Sequence, residues 1–310
     1  MIKTAIIGAE TPDGGELIRL LTLHPDVEIT ALQGEGMEGI GVTELHHGLI
    51  GDISLNLVNK IDYNECDVVF VCSTSMSDAE IMELRTNRPD LKVILFHAHP
   101  RLDREAAGIV YGLPEINRKS LVRGATGAEV PESFATMALV ALFPFALNSL
   151  LAGDLAISVT APPVIVEETD SKEALKEIKS IVAAIQTNFS GEISLYAQAG
   201  NTRRSALMEI ELDCALTLQQ MLDLYEVYDD HNFTFVTTSP IGVSEVAGTN
   251  KCIISIARSP EGKATLTIAA DCRLRGAAGE AVHIMNLLFG LHEKTGLALK
   301  AGDFEPIIQN

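Results

Sequence analysis

The hydrophobic positions of this chain keep two different rhythms, one before and one after the stretch Val130-Pro131-Glu132-Ser133-Phe134-Ala135-Thr136. In the first part, short apolar runs alternate with helical periodicity. Thr4 to Ile7 reads as a strand that Gly8 breaks; Gly14-Gly15 then opens a helix with Leu17, Ile18, Leu20 and Leu21 on its inner face, and His24-Pro25 stops it. Val27 to Leu32 is the next strand. Asp67 to Cys72 and Leu91 to Phe96 are continuous apolar runs, as expected of parallel strands buried on both faces, and Ser77 to Arg85 between them reads as a helix. Strand–helix–strand, repeated, predicts an α/β domain with a doubly wound parallel sheet.

After the stretch, Met137 to Leu151 is a long apolar helix pattern that Ser133 or a neighbour can cap. Leu155 to Ala161 reads as a strand ending at Pro162-Pro163, and Ser171 to Thr187 as a helix by its three-to-four spacing. Leu207 to Cys214 alternates apolar with acidic, so Glu209, Glu211 and Asp213 form a solvated face. Thr217 caps a helix through Tyr228. Lys251–Arg258 and Lys263–Ala270 form a hairpin across Ser259-Pro260-Glu261-Gly262, and a last helix runs from Ala277 to Lys294 and ends at Gly296. This second part reads as an α+β domain on a largely antiparallel sheet.

Composition narrows the function classes. The length of 310 residues suggests about two domains, with 47% hydrophobic and only 5% aromatic residues. Charge sums to 23 − 42 = −19, which predicts a soluble protein that repels nucleic acid and anionic membranes. No apolar run approaches the ~20 residues that span a bilayer, and Met1-Ile2-Lys3-Thr4 starts straight into a strand, so a cytoplasmic protein is expected. Cys66, Cys72, Cys214, Cys252 and Cys272 are odd in number and scattered, and read as reduced thiols, with no zinc site.

The candidate chemistry gathers at turns. Ser133 stands where a helix begins, and free N–H groups there favour a nucleophile or an anion. The first turn, Gly8-Ala9-Glu10-Thr11-Pro12-Asp13-Gly14, occupies the place of a Rossmann-type dinucleotide turn. Only its outer glycines are present: Thr11 adds a side chain, Glu10 a carboxylate, and Pro12 removes a donor. Gln33-Gly34-Glu35 after the second strand brings no cation for a 2′-phosphate. The turn therefore reads as kept for folding, with cofactor binding weakened or lost. His97 and His99 alternate after the fourth strand and could pair on a metal, but no third ligand is evident; they and His46-His47 read as structural or solvent-facing. Cys272 falls in a strand-core position.

Several segments together resemble one family: Gly14-Gly-Glu-Leu-Ile-Arg-Leu-Leu, His24-Pro-Asp-Val-Glu-Ile-Thr-Ala-Leu, Tyr111-Gly-Leu-Pro-Glu-Ile-Asn-Arg, Thr249-Asn-Lys-Cys and Gly276-Ala-Ala-Gly-Glu-Ala-Val-His-Ile-Met-Asn. The chain resembles the N-acetyl-gamma-glutamyl-phosphate reductases of arginine synthesis, relatives of aspartate-semialdehyde dehydrogenase. The resemblance implies a Rossmann domain of residues 1–132 completed by 276–310, and a substrate and subunit-contact domain of 133–275. It implies NADP as cofactor, with Gly8, Ala9, Thr11, Gly14, Gly276 and Gly279 at its site, Arg101 at the substrate, and a homo-oligomer, dimer or tetramer.

The departures from the family fall on its chemistry. Ser133 stands at the family's cysteine nucleophile, in Val-Pro-Glu-Ser-Phe where the family has Asn-Pro-Gly-Cys and an aromatic residue. The family's His-x-His-x-Pro-Glu-Ile is matched by Lys172–Ile178 without a histidine, and its Ser/Thr/Gly-rich loop by a shortened Pro162–Glu168. After the fourth strand only Arg101 matches. The expectation is a catalytically impaired paralogue that binds a small molecule or a partner, such as an authentic reductase subunit. The alternatives are an active oxidoreductase using Ser133 or another thiol, and a metal-binding module through His97 and His99.

Overall fold

In a computed structural model that describes residues 1–96, 104–259 and 262–302, the chain divides into two units. The first comprises Met1–Pro131 and Ala277–Ala298; the second comprises Glu132–Gly276 with residues 299–302. His97, His99, Arg101 and the hairpin residues Pro260 and Glu261 lie outside the described residues.

The first unit runs β1 (Ile2–Ile7), α1 (Pro12–Leu21), β2 (Val27–Gln33), α2 (Val42–Leu45), β3 (Val68–Val71), α3 (Asp78–Asn87), β4 (Lys92–Leu95), β5 (Ile109–Tyr111), α4 (Pro114–Val122) and β6 (Gly127–Glu129). Its six strands pair in parallel in the order β2-β1-β3-β4-β6-β5. The strands step one way from β1 to β2 and the other way to β3, which makes the carboxyl ends of β1 and β3 the switch point of the sheet. Every residue of β3 is buried. Ala5, Ile7, Val69, Val71, Val93 and Leu95 form one core with Ile81 and Leu84 of α3. The alternate positions Ile6, Val68, Phe70 and Ile94 are equally buried and point to the opposite face. Each such side chain contributes roughly 1.5–3 kcal/mol.

The first unit is completed by α9 (Ala278–Leu288), which packs with α1, α4 and β4. The helix is shorter than its sequence pattern predicts. Gly290 (φ +69) takes the left-handed position, with Gly290 N bonded to Leu287 O and Leu291 N to Asn286 O, the double bond pattern of a Schellman cap. Gly296, also left-handed, instead lets the chain pass close to the His24 ring.

The second unit runs α5 (Ser133–Leu147), β7 (Leu155–Ala161), α6 (Pro163–Glu168), α7 (Ser171–Ile185), β8 (Ile193–Ala199), β9 (Ser205–Asp213), α8 (Leu218–Leu224), β10 (Thr234–Thr237), β11 (Cys252–Arg258) and β12 (Lys263–Asp271). The sheet order is β10-β11-β12-β9-β7-β8, with antiparallel pairing at its centre and a parallel pair at each edge. It is the largely antiparallel mixed sheet the sequence predicts. α5 is buried on all sides and packs against α7 and β12, as a helix without a polar face must. It begins earlier than its apolar pattern, and Glu132, not Ser133, is its N-cap. Pro144 inside it has no N–H for Val140 O; the Tyr228 hydroxyl donates to that carbonyl at 2.7 Å. Pro162–Glu168, read as a loop, carries the short helix α6 with Pro163 in its first turn.

Candidate functional site

The first turn of the first unit is built to satisfy itself. Gly8 N and Ala9 N donate to Gln33 O, and Thr11 N donates to Gly8 O. The Thr11 hydroxyl caps α1, accepting from Gly14 N at 3.0 Å and donating to Gly8 O at 2.8 Å. Pro12, at the first helical position, has no donor, and Gly15 N is bonded to Thr11 O. Asp13 sets a carboxylate in the same first helical turn. Gly14 serves the turn's own closeness: a Cβ there would stand 2.2 Å from Gly8 O. The His46 ring packs on Gly15 and its Nε2 lies 2.7 Å from Ala9 O, a structural role for this histidine that closes the turn. Glu10 reaches the far end of β2, where its Oε1 accepts from Glu35 N at 3.3 Å. A pyrophosphate needs open N–H donors and an electropositive field. This turn has the donors of Gly8, Ala9, Thr11, Gly14 and Gly15 engaged and sets the carboxylates Glu10 and Asp13 beside them, and it does not fit the group.

The start of α5 in the second unit is likewise occupied. Glu132 Oε2 accepts from Phe134 N at 2.7 Å and Ala135 N at 3.2 Å, and its Oε1 accepts from the Ser133 hydroxyl at 3.0 Å. Both residues are buried. The helix end that would hold an anion already holds one, covalently attached. Beside it, the Cys272 thiol is pushed up to about 12 by burial and by the Glu132 and Asp271 carboxylates, with the Ser133 hydroxyl and the Ala206 backbone opposing. Thiolate is scarce at neutral pH there. Gly276 (φ +72) lies against the same helix turn; a Cβ would meet Ser133 Cα at 2.5 Å and Thr136 Oγ1 at 2.8 Å. Asp271, fully buried, fixes the connector that carries Cys272 and Gly276 by accepting from Arg204 Nε, Gly248 N and Arg273 N. The match to the family's histidine stretch falls on α7, where Lys172 and Lys176 are exposed and Asp170 is the cap.

Sequence reasoning thus placed Ser133, Cys272 and Gly276 on separate elements, and the structure brings them into one cluster of the second unit. Gly8, Ala9, Thr11 and Gly14 share the first turn, while Gly279 lies in the first turn of α9. The sequence leaves the cap open between Ser133 and its neighbours, and the structure assigns it to Glu132, a residue type not among the usual N-caps. Among the described residues no group of three His, Cys, Asp or Glu side chains is arranged to hold a metal, and no helix is long and apolar enough to cross a membrane.

A doubly wound sheet with this second sheet is the architecture of the semialdehyde dehydrogenases. Residues 3–132 match the family model described as semialdehyde dehydrogenase, NAD binding domain. Solved structures of similar fold include aspartate semialdehyde dehydrogenase II from Vibrio cholerae complexed with ASA (TM-score 0.70, 15% identity, 94% of this chain and 98% of that one). Aspartate semialdehyde dehydrogenase with NADP from Candida albicans is another (TM-score 0.70, 14% identity, 93% and 98%). Full-length sequence similarity narrows the class. The N-acetyl-gamma-glutamyl-phosphate reductase of Parabacteroides distasonis is 32% identical over 98% of this chain and 100% of its own length, and that of Flavobacterium johnsoniae is also 32% identical over the same shares. The chain belongs to the N-acetyl-gamma-glutamyl-phosphate reductase family.

Proposed function

We propose that this member of the family keeps the scaffold without the reaction and acts as a ligand- or partner-binding paralogue. One observation carries the reading: the Glu132 carboxylate fills the N-terminus of α5. The relatives' name implies reduction of an acyl phosphate. Run through a covalent enzyme intermediate, that chemistry needs a nucleophile whose anion is stabilised near neutral pH, and a group to take its proton. Here the two N–H groups suited to that anion serve a carboxylate. Negative charge forming on Ser133 Oγ, 3.0 Å from Glu132 Oε1, meets repulsion. Losing nucleophile and base together removes on the order of 10⁴-fold or more of the rate. A nicotinamide cofactor would supply hydride to such a reaction, and the first turn gives its pyrophosphate no cradle.

The test is direct. Purified protein given N-acetyl-γ-glutamyl phosphate with NADPH or NADH is expected to turn over no faster than the protein-free control. Turnover at an ordinary reductase rate overturns the reading.

A further inference from the structure

A strand at the edge of a sheet presents a row of N–H and C=O groups that another strand can take up. The four edges here are β2 and β5 in the first unit and β10 and β8 in the second. Three of them carry a usual protection. β5 has three residues and β10 four, while β2 holds Glu28 and meets β1 through a register shift. β8 has none of these. It runs for seven residues, Ile193-Ser194-Leu195-Tyr196-Ala197-Gln198-Ala199, without a charge, a proline or a glycine, and it pairs with β7 in unbroken register.

The bonds at its two ends show which backbone groups are left over. Residues of a parallel edge strand alternately turn both backbone groups toward the neighbour and both away. Leu155 N donates to Glu192 O, and Gly200 N donates to Ala161 O, so the even-numbered residues serve β7. Ile193, Leu195, Ala197 and Ala199 turn theirs outward, where no strand lies among the described residues. The side chains of Ser194, Tyr196 and Gln198 are exposed, Tyr196 to 66%.

A second β8, laid antiparallel about a twofold axis at Tyr196, satisfies all four outward residues. Leu195 then stands opposite Ala197 of the second copy, and Ile193 opposite Ala199, as hydrogen-bonded pairs. An axis at Leu195 or at Ala197 leaves one of the four beyond the end of the facing strand. On the exposed side Ser194 meets Gln198, and Tyr196 meets its own counterpart as a close, non-hydrogen-bonded pair, where aromatic contacts stabilise. Charge permits this pairing although the chain carries −19. Glu192 falls opposite Gly200 instead of another carboxylate, and it is paired with Lys179. The acidic row of Glu209 and Glu211 on β9 lies two strands in. The two rows would stand about 24 Å apart, five strand spacings of ~4.8 Å, well beyond the screening length of about 8 Å at 0.15 M salt.

We propose that β8 is an interface between two copies of this chain, joined antiparallel about Tyr196 into one continuous sheet. Such a contact is self-complementary and closes as a dimer. It does not depend on whether the family's reaction is retained.

Sedimentation equilibrium of the full chain in 0.15 M sodium chloride tests it. The unmodified protein is expected to be a dimer or a larger even-numbered assembly. Ala197→Pro removes an outward N–H and leaves the β7 ladder whole, and it is expected to halve the mass with circular dichroism unchanged. Tyr196→Lys sets two ammonium groups opposite each other on an exposed position, and it is expected to halve the mass even where the proline variant fails to fold. Thr265→Lys, which lies beside Glu211 on the exposed face of the same sheet, is expected to keep the mass. A monomeric unmodified protein overturns the inference. So does full mass in every folded β8 variant, or a mass halved by Thr265→Lys alone.

Discussion

Tyr228 and Pro144 show how much one hydroxyl can settle. The proline leaves Val140 O without its helical partner in a fully buried helix, and the Tyr228 hydroxyl takes its place. Removing that hydroxyl strands a buried acceptor, at a cost of about 1–3 kcal/mol. Tyr228→Phe is therefore expected to lower stability in denaturant unfolding by that amount. Pro144→Ala should recover part of the loss in the double variant, because the alanine N–H can reach Val140 O; strictly additive losses would show that the hydroxyl acts otherwise. The Cys272 thiol makes a second residue-scale test. With its pKa pushed up to about 12, it is expected to resist iodoacetamide at pH 8 in the folded protein and to react once unfolded, read by mass spectrometry. Rapid labelling of native protein would contradict the burial described.

At the scale of elements, α9 is anchored by a buried ionic network. His283 Nδ1 lies 3.2 Å from Glu280 Oε1 and its Nε2 3.0 Å from Glu293 Oε2, with Glu115 of α4 close by and Arg118 of α4 paired to Glu293. Burial alone would lower the imidazole's pKa; the hydrogen bonds to Glu280 and Glu293 and the Glu280 and Glu115 charges outweigh it, and the net direction is upward. A histidine raised in the folded state adds stability that is complete below the unfolded value of about 6.5 and is lost as pH rises through the folded value. The denaturant midpoint should thus fall with rising pH across that window, and His283→Gln should flatten the fall; an equal slope in both proteins would rule the network out as its source. Much at this scale was legible in the chain. β3 and β4 announced themselves as unbroken apolar runs because both faces of a parallel sheet are covered. The end of α9 was not legible, because two glycines six residues apart both take left-handed conformations and only the hydrogen bonds tell which one caps. The short strands β5, β6 and β10 have three or four residues each, too few for alternation to register. At the site, the family's positions could be found by motif, but the Glu132 bonds that occupy the helix end are set by geometry and left no periodic trace.

For the whole molecule, a formal charge of −19 means sustained self-repulsion. Salt shortens the Debye length from about 30 Å at 0.01 M to about 8 Å at 0.15 M. Thermal unfolding temperature is expected to rise across that range in sodium chloride; a fall would mean that local ion pairs outweigh the global field. The proposed loss of the reaction also has a consequence for how it could be regained. Restoring the thiol alone, as Ser133→Cys, would place a sulfur beside a carboxylate that has claimed the helix dipole, and its alkylation should stay slow. Clearing the carboxylate first, as Glu132→Gly, opens the helix end but confers nothing by itself. On the proposed reading neither change is useful without the other, and with the base also to be replaced, Glu132 makes the way back to an enzyme longer than the single exchange at position 133 suggests.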